Sequence, residues 1–183
     1  MAGEIELCEY SAAWPRQFID VAMPIRAALG SVAQRIDHIG STAIPQIAAK
    51  PVIDVQISVA SLIPENAFRE PLEAAGYVWR QDNPDLTKRY FRESPGERRT
   101  HIHVRQAGSL PEQLALLFRD YLREHRAAAL AYEETKRFMA RWHNEQDKGA
   151  LFYEIKAPVA DIVTSAAEEW AARVEWQPGE TDA

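Results

Sequence analysis

The chain has 183 residues, 46% of them apolar and 26% charged, with a formal net charge of −6, a balance that suits one globular domain over residues 1–183 with a buried core. No apolar run approaches the roughly 20 residues that cross a bilayer, which excludes a helical membrane span, and the acidic balance speaks against general nucleic-acid binding, which needs a basic face. The single cysteine, Cys8, excludes an internal disulfide and fits a reducing, cytoplasmic location.

The opening MAGEIELCEY is acidic where a secretion signal is basic and then apolar, so no such signal is expected. Ser11 suits the cap of a helix over residues 12–29, within which Trp14, Phe18, Val21, Ala22, Ile25 and Leu29 recur at helical spacing. Gly30 stops it. A strand then leads to His38, a turn opens at Gly40, and a second strand covers residues 52–59. Residues 64–75 suit a short helix closed by Gly76. Three strand-like runs follow, YVWRQ, KRYFRE and THIHVRQ, divided by the turn signals DNPD and SPGE. Ser109, Pro111 and Glu112 make a capping-box pattern ahead of QLALLFRDYLREH. Helices over 126–146 and 149–173 complete the pattern, the last interrupted or kinked at Pro158; the tail QPGETDA, residues 177–183, is expected to be loose and flexible. Together these elements predict an α+β domain: a mixed β-sheet of about five strands with an N-terminal helix and a C-terminal helical layer.

Alternation along a strand sorts the polar residues. In residues 52–59, Ile53, Val55, Ile57 and Val59 share one face while Asp54, Gln56 and Ser58 share the other. In THIHVRQ, Ile102 and Val104 oppose His101, His103 and Arg105. If helices cover the apolar side of one sheet, Asp54, Gln56, His101, His103 and Arg105 lie together on its open side. A water-facing antiparallel sheet explains that set without function; an Asp inside a β-branched run and two His at i, i+2 favour a metal or acid-base site.

Two more features suggest an anionic ligand. Gly40 permits a turn at which Ser41 and Thr42 present hydroxyl and amide groups, with Lys50 as a point charge nearby. The Gly and Lys spacing is not that of a Walker loop, and an ordinary structured turn is the alternative. Between Lys88 and Arg105 there are six cations and two acids, which reads either as a solvated hairpin or as a pocket wall for a phosphorylated ligand. Arg92 and Lys156 either face the same cavity or are surface cations. Arg119, Asp120 and Arg123 read as a helix-surface ion-pair set. Tyr121, Tyr132 and Phe138 read as packing groups, and one of Tyr90 and Phe91 must face the polar side.

The stretches HIGSTAIPQIAAKPVIDVQISV, THIHV, FRDYLREHRAAALAYEETKR and YEIKAPVADIV resemble the GrpB family, grouped with the nucleotidyltransferase superfamily and found alone or fused to dephospho-CoA kinases. The resemblance implies a nucleotidyltransferase fold, in which Gly40 and Ser41 match the turn and Asp54 the first, catalytic acid. It departs from the family at Gln46, where a glycine is usual after the proline, and at Gln56, where the second acid belongs. The expectation is therefore a nucleotide or other phosphorylated small molecule held with a divalent ion, Mg, Mn or Zn. Gly40, Ser41, Thr42, Lys50, Arg92, Arg105 and Lys156 are its phosphate contacts and Asp54, Gln56, His101 and His103 its metal ligands. Transfer activity is in question because Gln56 brings no charge. The alternatives are an inactive accessory domain with a protein partner and a histidine-based metal hydrolase.

Overall fold

In the computed structural model the described residues are 4–146 and 149–183, apart from the side chains of 146, 149–154 and 156. Helix α1 (Trp14–Leu29) buries the six predicted apolar residues. The helix starts two residues later than expected, after Ala13, and Ser11 Oγ accepts the Ala13 N–H at 3.2 Å ahead of it. After α1 come β1 (Ala33–Ile39), β2 (Ile53–Val59), α2 (Asn66–Ala74), β3 (Tyr77–Trp79), β4 (Arg89–Glu93), β5 (Thr100–Gln106), α3 (Leu110–Glu124), α4 (Arg126–Gln146) and α5 (Gly149–Val174). The last runs through Pro158 without interruption. Among the described residues no helix is long and apolar enough to cross a membrane.

The five strands form one sheet in the order β1-β2-β5-β4-β3. Strand β2 pairs antiparallel with β1 and parallel with β5, while β4 pairs antiparallel with both β5 and β3. The sheet is mixed, as predicted, and β5 lies directly beside β2. Register puts Ile39, Asp54, His101 and Arg92 in one row across the sheet, and Asp37, Gln56, His103 and Tyr90 in the next.

One face packs on α1 and α2 through Phe18, Ile25, Val55, Ile57, Phe68, Leu72, Phe91 and Ile102. Each such burial contributes about 1.5–3 kcal/mol. Contrary to the sequence expectation, the opposite face is not open along its length. Gln56 and Ser58 are fully buried because α3 lies over them: Gln56 Nε2 donates to the Glu112 carbonyl at 3.2 Å and Ser58 Oγ to Glu112 Oε1 at 2.7 Å. The predicted capping box is correspondingly half made. Glu112 reaches back to the Gly108 N–H at 3.2 Å, whereas Ser109 Oγ is buried without a partner.

One further expectation is corrected on this face. Arg119 is buried at 3% exposure rather than on a helix surface. It contacts Asp120 at 2.7 Å, Asp182 at 2.9 Å and Asp37 at 3.7 Å, and Asp37 is also held by Arg35 at 2.9 Å. The tail, expected to be loose, lies along the outer edge of β1. Ala183 N–H donates to the Ile36 carbonyl at 3.1 Å, His38 N–H to Asp182 at 2.8 Å, and Arg35 to the Gly179 carbonyl at 2.7 Å. The edge strand's unpaired backbone groups supply the reason, since they are satisfied when a segment lies beside them. Phe138, read as a packing group, is instead 62% exposed.

Candidate functional site

The site begins at a turn that favours glycine. Gly40 has φ 70° and ψ −174°, a region essentially reserved for glycine. A Cβ on it would lie 2.5 Å from Asp54 Oδ2, so the bare Cα is what lets the loop rest on the carboxylate. Ser41–Ala43 follow as one 3-10 turn. Thr42, expected to contact phosphate, is buried and tied to the fold: its hydroxyl donates to the Val52 carbonyl at 3.1 Å and stands 3.0 Å from His38 Nε2. The His38 ring in turn stacks on Phe18, with centroids 4.8 Å apart. Further along the loop, Gln46 adopts φ 61°, the left-handed region in which glycine is at ease and a side chain is strained. Its carbonyl accepts from Arg126 at 3.2 Å.

Asp54 is the centre of the site. Its Oδ1 is 3.2 Å from His101 Nδ1 and 3.2 Å from His103 Nε2, so strand adjacency turns a shared face into a three-residue cluster. These groups can hold a metal ion, their candidate ligand atoms all lying within 4.8 Å of one another. Burial alone pushes the Asp54 carboxyl up, but hydrogen bonds from His101 and His103 overcome it and hold the group well below the usual carboxylate range. Burial pushes His103 down to about 4, against the opposing pull of Asp54, so at neutral pH it is an uncharged imidazole donating through Nε2. The far nitrogens, His101 Nε2 and His103 Nδ1, are buried without partners. Beside them Tyr90 takes the polar side of its strand, its ring 5.6 Å from His101 and 5.4 Å from His103, while Phe91 enters the core. Burial pushes the Tyr90 hydroxyl up to about 12, so it stays a neutral phenol.

Gln56 turns both ends toward protein groups. Its Oε1 accepts from Arg105 Nη1 at 2.6 Å and its amide nitrogen is bound to Glu112; both ends of the group are committed. That commitment also engages Arg105 within the sheet. Arg92, in the row beyond His101, pairs with Glu93 at 2.8 Å. The Lys156 side chain lies outside the described residues.

A cavity of about 340 Å³ opens above Asp54. Gly40, Ser41, Thr42, Lys50, Asp54, His101 and His103 line it, whereas Gln56, Arg92 and Arg105 do not. The helical layer roofs it with Phe118, Tyr132, Lys136 and Ala160, and Leu7 closes the side. Leu7 is positioned by an antiparallel bridge in which Cys8 and Ala49 exchange backbone hydrogen bonds of 2.9 and 3.0 Å. Lys136 was missed by the sequence reading; Tyr132, read as a packing group, is buried in the helical layer and also lines the cavity. Their i, i+4 spacing puts them on one helix face, but nothing local says what that face covers. Lys136 Nζ donates to the Ala48 carbonyl at 2.7 Å and lies 4.8 Å from the Tyr132 ring centroid, so α4 is bound to the loop between β1 and β2.

The GrpB protein family model matches residues 4–165. UPF0157 protein YqkA of Bacillus subtilis (strain 168) is 35% identical over 140 residues, covering 76% of this chain and 41% of YqkA. The dephospho-CoA kinase of Mycobacterium tuberculosis (strain ATCC 25618 / H37Rv) is 33% identical over 190 residues, 90% of this chain and 46% of the kinase. The chain thus spans less than half the length of either relative. Among solved structures, conserved protein GrpB from Enterococcus faecalis superposes with a TM-score of 0.76 at 28% identity, covering 90% of this chain and 99% of that one. The Cid1 poly(U) polymerase bound to MgATP gives a TM-score of 0.51 at 12% identity, over 74% of this chain and 44% of that one, a likeness of fold. Sequence and architecture agree: the chain belongs to the GrpB family and has a nucleotidyltransferase-like fold.

Proposed function

We propose that this protein binds a phosphorylated small molecule, a nucleotide in the first instance, together with a divalent ion, and that it does not carry out two-metal nucleotidyl transfer. One observation carries the reading: Gly40, Ser41, Lys50, Asp54, His101 and His103, which come from separate stretches of the chain, line a single cavity. In this reading Gly40, Ser41 and Lys50 contact phosphate, and Asp54 with the two imidazoles holds the ion, which offsets phosphate charge. Arg105 and Arg92 add positive potential along the same sheet face; their guanidinium groups are engaged by Gln56 and Glu93. The test is isothermal titration with nucleoside triphosphates, with and without Mn²⁺ or Mg²⁺. Heat with at least one nucleotide, reduced in Lys50→Ala and Asp54→Ala, is expected; no heat with any of them rejects the reading.

A second reading is an accessory domain that has lost catalysis. What favours it is the commitment of Gln56 to Arg105 and Glu112, together with relatives named dephospho-CoA kinase that align with this chain over only 46% of their length. A pull-down with a separately expressed dephospho-CoA kinase, run beside the nucleotide titration, discriminates the two.

A further inference from the structure

The fold implies two divalent ions held between carboxylates, and the residues present do not fit that arrangement. The second acid's position, two residues beyond Asp54 on the same face, is taken by Gln56, fully buried and hydrogen-bonded at both ends. The group beside it is already a cation. Arg105 Nη1 lies 2.6 Å from Gln56 Oε1, so an ion approaching that oxygen meets a guanidinium of like charge in a site of low dielectric. Glu112, whose backbone carbonyl accepts from Gln56 Nε2, has its carboxylate held by Ser58 at 2.7 Å, Gln113 at 2.6 Å and the Gly108 N–H at 3.2 Å. Both of its oxygens are engaged by these groups.

The Asp54 end differs in every respect. One carboxylate oxygen and two imidazole nitrogens converge, the nitrogens each 3.2 Å from Asp54 Oδ1. An ion with tetrahedral bonds of about 2.0–2.1 Å holds its ligand atoms roughly 3.3 Å apart; the two oxygen–nitrogen distances match that, and all three ligand atoms lie within 4.8 Å of one another. The cluster faces the cavity, which leaves a coordination position for solvent or ligand. Two imidazoles and one carboxylate suit Zn²⁺, Mn²⁺ or Co²⁺; Mg²⁺ asks for oxygen ligands in an octahedron, and the protein offers one such residue.

We infer that Asp54, His101 and His103 form a mononuclear centre for a transition-type divalent ion, and that the Arg105–Gln56–Glu112 chain replaces the second ion of the fold with a fixed positive charge. The inference rests on the reading above only in placing an ion at the cavity floor, and it is tested with metal alone. The full chain, stripped with chelator and passed through a desalting column after equilibration with Zn²⁺ or Co²⁺, is analysed for metal content and for the visible absorption of bound Co²⁺. One equivalent per chain is expected, undiminished by a hundredfold excess of Mg²⁺. Asp54→Asn and His103→Gln each weaken retention by more than about 100-fold, since loss of even outer-shell partners weakens metal binding by about 10–100-fold. In Gln56→Glu the stoichiometry stays at one, because the new carboxylate pairs with Arg105. Two equivalents in the parent or in Gln56→Glu, no retained Zn²⁺ or Co²⁺, full retention in Asp54→Asn, or displacement by Mg²⁺ each overturn the inference. Metal binding without any nucleotide heat defeats only the functional reading; nucleotide heat without metal retention defeats only this one.

Discussion

Replacing Gly40 by alanine tests the geometry on which the site depends. The backbone there sits at φ 70° and ψ −174°, and a side chain in that region costs about 1–3 kcal/mol. At about 2–4 °C per kcal/mol for a chain of this size, melting falls by about 2–12 °C. The new methyl also lies 2.5 Å from Asp54 Oδ2 and 3.0 Å from its Cβ and Cγ, so either the loop lifts or the carboxylate moves away from His101 and His103. Each hydrogen bond to that charged group is worth about 1.5–3 kcal/mol, and breaking one weakens anything held there by tenfold or more, at about 1.4 kcal/mol per decade. Thermal melting followed by far-UV circular dichroism reads the first effect, and titration with metal or nucleotide the second. Gly96→Ala separates them, because Gly96 has φ 90° but nothing within 4 Å of an added Cβ: it destabilises and leaves binding intact. Gly40→Ala with parental melting and binding, or Gly96→Ala with equal loss of binding, refutes the reasoning.

Burial pushes His38 down to about 4, assisted by Arg123 and Arg119 and opposed by Asp182 and Asp54. The unfolded chain protonates it near 6.5 while the native state resists, so this contribution to stability is present above that pH and falls as pH drops towards 4. The loss between pH 7 and pH 5 is about 2 kcal/mol, and His38→Gln should shed that part of the pH slope in urea unfolding; an unchanged slope contradicts the assignment. Arg119→Met leaves Asp37, which is wholly buried, with Arg35 as its remaining ion-pair partner, and should cost about 3–5 kcal/mol by chemical denaturation; a loss below about 1 kcal/mol would return Arg119 to the surface-pair class. Removing residues 177–183 should speed amide exchange at Ile36 and His38, whose N–H groups donate to Thr181 and Asp182 at 2.9 and 2.8 Å, while exchange at the β2–β5 ladder stays slow. Equal protection with and without the tail would mean it does not cover the edge of β1.

The local pattern carried much of the architecture. Helical spacing in residues 12–29 marks the residues that α1 buries, because a period of 3.6 is a property of the segment itself. Alternation likewise set Asp54, His101 and His103 on one face, and the glycine at position 40 announced a turn. Which strand lies beside which is not a local property. It depends on burial summed over segments far apart in the chain, here β2 against β5, whose registered partners Asp54 and His101 are 47 positions apart.

The polar residues show the same division. Asp54, Gln56 and Ser58 look alike in alternation, yet α3 covers the last two and leaves the first in a cavity. Arg119 reads as one of many helix-surface cations until Asp37 and Asp182 are placed around it. A carboxylate becomes a site, and a guanidinium becomes part of a buried network, through neighbours that arrive from other elements. Periodicity determined the faces of this protein; close packing of distant segments decided which polar groups share a pocket, which pair with each other, and which are buried in networks with other elements.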